Sequence, residues 1–191
     1  MADASHASFH SDGRIEVAPK MVLLFNGLAL CAVIAATLLA AGTILFWLTI
    51  EPDEVRQMIE LGPEVSPDIT MGQRIVAALV GLMTTLPLAW GFLRLRVCLA
   101  SFAAGRPFAS QGIAGLRDFA IGVLLAALGR FLGHTLMSLV LTWTALPGHR
   151  QLAASIDSGM LLLAMFAATI AALVWAMEKA AAIAEENRQF V

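Results

Sequence analysis

Four long apolar runs constrain this chain more than any other feature. Segments from about Val22 to Ile50, Ile75 to Leu93, Phe119 to Trp143 and Gly159 to Met177 each match or nearly match the roughly 20 residues a helix needs to cross a bilayer. Composition agrees. Of the 191 residues, 59% are hydrophobic and 14% charged, against roughly 25% charged in soluble domains, and mean hydropathy is +0.81. The sequence therefore predicts an all-α membrane protein, a bundle of four transmembrane helices.

The placement of Lys and Arg predicts orientation. Arg14, Lys20, Arg94, Arg96, Arg106, Arg117, Lys179 and Arg188 flank one set of helix ends, while Arg56, Arg74 and Arg150 flank the other. The positive-inside rule puts both termini and the central loop in the cytoplasm. Trp47 and Trp143 fall near the outer ends, and Trp90 and Trp175 near the inner ends, the positions of an interfacial aromatic belt. The organisation expected is a cytoplasmic tail over 1–20 and a transmembrane domain over 21–191. That domain carries an acidic outer loop at 51–74, a cytoplasmic loop at 94–118 and a helical C-terminal tail at 178–191. The first apolar run is too long for a signal peptide and lacks a polar mature start.

The loops carry weaker signals. Pro52, Asp53 and Glu54 followed by Gly62-Pro63 suggest a short outer helix. Its acids lack calcium-loop spacing, and His149 reads as an exposed loop residue. Gly105-Arg106-Pro107 should break the helix that continues the second span, and Ser110 should cap the next one.

Polar residues inside the spans are the candidates for function. The stripe Gly122, Ala126, Arg130, His134, Ser138 and Thr142 runs through the third span at four-residue steps. An arginine at mid-bilayer costs about 2.5–3.5 kcal/mol on insertion scales, so this stripe is expected to face other helices and not lipid. Thr84 and Thr85 in the second span, or carbonyls freed by Pro87, are its candidate partners. Arg130, His134, Ser138, Thr84 and Thr85 thus form a candidate intramembrane polar cavity, with internal glue as the competing role. Small-residue stripes Gly27, Cys31, Ala35 and Ala164, Ala168, Ala172 are expected to seat helix against helix.

Several chemistries are excluded. Haem held by two histidines needs a second intramembrane histidine, and His6, His10 and His149 lie outside the spans. No HExxH, GxSxG or P-loop occurs, and Cys31 and Cys98 have neither metal nor disulfide spacing. No enzyme, cofactor or metal site is expected. A net charge of −2 gives no basic excess for direct nucleic-acid binding.

The stretches "GRPFASQGIAGLRDFA" and "AAIAEENRQFV" resemble a family of four-span bacterial membrane proteins, the domain of unknown function two-nine-seven-five. Gly105, Pro107, Phe108, Leu116 and Arg117 match its central loop. Glu185, Glu186, Asn187 and Val191 match its charged tail. The resemblance covers about residues 20–191 and implies the bacterial inner membrane. It also implies a cytoplasmic partner, a small helix-turn-helix transcriptional regulator. A docking surface is then expected on Arg106, Arg117, Glu185, Glu186, Asn187 and Phe190, with 105–118 lying against 178–191 through Ile183 and Phe190. The runner-up is a small transporter or immunity-type protein that handles an envelope-active compound as a homo-oligomer.

Reporter fusions after Val191 and within 60–70 test the topology. A cytoplasmic signal from the first and a periplasmic signal from the second are expected; the reverse would overturn every statement of sidedness.

Overall fold

The computed structural model describes residues 17–51, 70–142 and 158–189. Four helices account for nearly all of them: α1 (Pro19–Thr49), α2 (Met71–Ala103), α3 (Ser110–Thr142) and α4 (Ser158–Gln189). Each contains a window long and apolar enough to cross a membrane, and the described residues include no strand. The chain is a multi-pass helical membrane protein. Residues 1–16 of the tail, the short outer helix, Trp143, His149 and Phe190 lie outside the described residues, as do the side chains of His134 and Ser138.

Local chemistry sets the helix ends. Pro19 opens α1 at its first turn, where a missing N–H costs no intrahelical bond. Thr70 and Gln73 form a reciprocal capping box at the start of α2. The end of α2 is a Schellman motif: Gly105 N–H donates to Phe102 O and Arg106 N–H to Ser101 O, both at 3.0 Å. Gly105 takes φ 70° there, a left-handed conformation that favours glycine. The break at Gly105 is where the sequence placed it. The next cap is not: Ala109 O accepts from Ile113 N–H at 3.1 Å, so Ala109 is the N-cap and Ser110 is the first helical residue.

The bundle is serial. α1 packs on α2, α2 on α3 and α3 on α4, and no other pair of helices brings Cα atoms within 8 Å among the described residues. The central pair, α2 and α3, is an antiparallel hairpin closed by the 104–109 turn. Its seam is glycine. A methyl group added at Gly122 would lie 2.6 Å from Pro87 O and 2.9 Å from Gly91 Cα. One at Gly115 would lie 2.6 Å from Arg94 O, and one at Gly129 3.0 Å from Met83 O. The three glycines are seven residues apart, so they recur on one face. Their Cα–H bonds point at carbonyl oxygens of α2, a geometry that supports weak C–H···O contacts. Met83 O is also the carbonyl that loses its helical N–H partner to Pro87. The oxygen freed by the proline therefore faces the seam.

The outer helices attach differently. Gly81 of α2 gives Trp47 and Thr43 of α1 their room, since an added methyl would meet Trp47 Nε1 at 2.8 Å and Thr43 Cγ2 at 2.9 Å. Arg74 at the start of α2 donates through Nη1 to Ile50 O at 2.8 Å and Leu48 O at 3.2 Å. A cation thus meets carbonyls that the end of α1 leaves without helical partners. Phe25 and Phe102 close the other end of this pair, edge to face at 5.6 Å. α4 lies against α3 through Phe119, Ala120, Val123, Ala167, Ile170 and Val174. On the sides away from these contacts Leu23, Leu38, Leu162 and Met165 are exposed, as lipid-facing positions are.

Several expected faces are corrected. On α1, Ala32 and Ala36 are buried, while a methyl group added at Gly27 would meet no other part of the chain within 4 Å and Cys31 is exposed. On α4, Ala167, Ile170 and Val174 make the contact, while Ala168 and Ala172 are exposed. Trp47 is buried at 8% exposure against α2 and does not stand in an aromatic belt; Trp90 and Trp175 are exposed. For the two stripes the cause is register. A four-residue step overshoots one helical turn by about 40°, so a stripe read in such steps cannot follow a contact face, whereas Trp47 is drawn in by the room that Gly81 leaves.

The seam yields a graded prediction. Gly122→Ala should destabilise the folded protein by about 1–3 kcal/mol through overpacking against backbone, and Gly27→Ala should be near neutral. Unfolding midpoints in mild detergent measure both, and equal effects would contradict the seam.

Candidate functional site

The polar residues separate into three places. The first is an open pocket of about 400 Å³ between α1 and α2, lined in part by Gly42, Thr43, Trp47, Gly81, Thr84 and Thr85. Thr43 and Thr85 bring their hydroxyl oxygens within 3.2 Å across the helices. Each also reaches a carbonyl of its own helix, Thr43 to Leu39 O at 2.7 Å and Thr85 to Gly81 O at 3.2 Å. A hydroxyl has a single hydrogen, so the pair shares these bonds, and two polar groups are satisfied inside a span. Thr84, 100° further round α2, turns to α3, where its Oγ1 would stand 3.2 Å from a methyl at Gly133.

Of the predicted cavity, only Arg130, Thr84 and Thr85 have described side chains. Thr84 and Thr85 line one pocket together with Thr43, a residue the sequence reading passed over. Arg130 is not among that pocket's lining residues. Gly122 and Ala126 of its stripe are buried, but Arg130 is exposed, which corrects the expectation that it faces the bundle interior. Two four-residue steps carry it about 80° round the helix from Gly122. It is engaged within the chain all the same.

The second place is the neck of the α2–α3 hairpin. Arg94 Nε donates to Asp118 Oδ2 at 2.7 Å, with side-chain exposures of 41% and 16%. A charge-assisted bond of this length is a strong one of its kind, although partial exposure limits its worth to about 1 kcal/mol. Asp118 escaped the sequence reading because it stands one residue before the third apolar run. The clue was available: it is the first acid on α3, and Arg94 is the first base at the end of the second run.

The third place is a groove of about 380 Å³ between α3 and α4. Its floor is made of short side chains, among them Ala120, Ala164, Ala167 and Ala171. At one end it is rimmed by Arg117, Trp175 and Glu178, all three exposed. Among the described residues neither Arg117 nor Glu178 makes a hydrogen bond or ion pair within the chain.

The expected docking residues gather at this same end. Arg106 is exposed at the turn, and Glu185, Glu186 and Asn187 are exposed on the last turns of α4. The packing at this end of α3 and α4 uses other residues than the ones expected. Leu116, Met177 and Ala181 pack against the core cluster that contains Ile113 and Val174. Ile183 is 59% exposed and does not hold the tail. Among the described residues no group of three or more His, Cys, Asp or Glu side chains is placed to bind a metal ion.

No protein-family model, curated protein or solved structure matches the chain.

Proposed function

We propose that this chain is a non-enzymatic binding or sensing protein of the bacterial inner membrane that signals through a cytoplasmic partner. One observation carries the reading: the groove and the exposed tail belong to the same helix. Among the described residues α4 packs on α3 alone, its apolar half lines the groove, and its last turns carry Glu185, Glu186 and Asn187 into solvent. An occupant that binds one tilt of α4 better than another would shift the position of those turns by its differential affinity. The partner reads that position. The family resemblance supports a small helix-turn-helix regulator in this role, and the complementary charges of Arg106 and Arg117 against Glu185 and Glu186 supply the polar rim of a docking surface.

A second reading draws on the pocket at Thr43, Thr84 and Thr85. Its hydroxyls lie within a span and open to one side, which suits a small transporter that assembles as an oligomer around an envelope-active compound.

The docking reading makes a clear prediction. Purification of the tagged full chain from native membranes should recover a DNA-binding regulator. Deletion of 185–191 should abolish that recovery and leave membrane insertion intact. Undiminished recovery after the deletion rejects the docking role.

A further inference from the structure

We infer that the α3–α4 groove holds one zwitterionic phospholipid, its phosphate on Arg117, its ammonium on Glu178 and an acyl chain along the alanine floor. This inference names the ligand class for the groove and rests on the reading of that groove as the sensing site.

Depth comes first. Glu178 is the first charged residue after the apolar run of α4, and Arg117 and Asp118 are the last before that of α3. The two helices are thus aligned with their charge boundaries level, and the rim of the groove lies at headgroup height. Trp175, 64% exposed at the same rim, has the amphipathic ring favoured at that depth. From Glu178 to Ala164 the groove follows α4 for fourteen residues, about 21 Å at 1.5 Å per residue. That exceeds half of a hydrocarbon core of roughly 30 Å, so the floor is long enough for an acyl chain.

Shape is the next constraint. Alanines at Ala120, Ala164, Ala167 and Ala171 leave a hollow where larger side chains would have closed the two helices together. The hollow opens on the outer surface of the row of helices, where the surrounding solvent is lipid.

Charge selects the headgroup. Arg117 and Glu178 are of opposite sign, line one rim and have no partner within the chain among the described residues. Asp118, beside Arg117, is already taken by Arg94, which leaves the guanidinium for the groove. An anionic lipid would satisfy Arg117 but set its phosphate near the Glu178 carboxylate. A phosphate that carries an ammonium arm satisfies both.

Native mass spectrometry of the full chain, released from nanodiscs of equimolar phosphatidylethanolamine and phosphatidylglycerol, tests this directly. One retained lipid per chain is expected, enriched in phosphatidylethanolamine about fivefold, the equivalent of one exposed charge contact of about 1 kcal/mol. Glu178→Gln should erase the enrichment. Ala168→Phe, at an exposed groove position, should remove the retained lipid while the protein stays folded by circular dichroism. Retained lipid that mirrors the mixture would overturn the proposal, as would retention unaffected by Ala168→Phe. A lipid-free dimer that Ala168→Phe dissociates would overturn it too, because a second copy would then fill the groove. Partner recovery read in parallel separates the two levels: loss of lipid preference with tail-dependent partner recovery intact rejects the lipid assignment and leaves the signalling reading standing.

Discussion

The architecture depends on one backbone-to-backbone contact, that between α2 and α3. Within a bilayer, apolar side chains gain nothing by leaving lipid for a neighbouring helix, so association rests on close packing and polar contacts. Gly115, Gly122 and Gly129 bring α3 onto the carbonyl oxygens of Arg94, Pro87 and Met83. Any side chain there would separate the helices. The 104–109 turn closes the hairpin, and the Arg94–Asp118 pair ties its neck. With those fixed, α2 can present its other side to α1, and α3 can present Phe119, Ala120 and Val123 to α4.

This arrangement makes the two terminal helices unequal. α1 is held at several heights by the Gly81–Trp47 contact, the Thr43–Thr85 pair, the Arg74 bonds and the Phe25–Phe102 edge. Among the described residues α4 touches only α3, and next to that contact a hollow separates the two helices. α4 therefore carries both the groove and the exposed acidic tail. In the proposed signalling, a small change of tilt would move the far end of a helix 32 residues long.

Much of the architecture could be read from the residues alone. The four spans needed only length and hydropathy. The break at Gly105 followed from glycine and proline chemistry, and the helical continuation of α4 into the tail followed from propensity. Faces were harder. Helices apolar on every side carry no amphipathic contrast, so the contact face must be inferred from small residues, and the choice of repeat decides the answer. Four-residue steps led to Arg130, Ala168 and Gly27. A seven-residue repeat would have led to Gly115, Gly122 and Gly129, the true seam. Trp47 looked interfacial by position, yet Gly81 on the neighbouring helix had opened a place for it. Arg117 was singled out for its charge, but its place with Glu178 on the rim of one groove depends on how α3 and α4 align.

The most direct test of the central claim is a pair of distance distributions from double electron–electron resonance in nanodiscs. One pair of spin labels at Leu86 and Leu125 spans α2 and α3, and another at Leu125 and Leu162 spans α3 and α4; all three positions are exposed. If the glycine seam is the rigid centre and α4 is held on one side only, the α2–α3 distribution is narrow and independent of lipid composition, and the α3–α4 distribution is broader and shifts with it. An α2–α3 distribution as broad as that of α3–α4 would contradict the account.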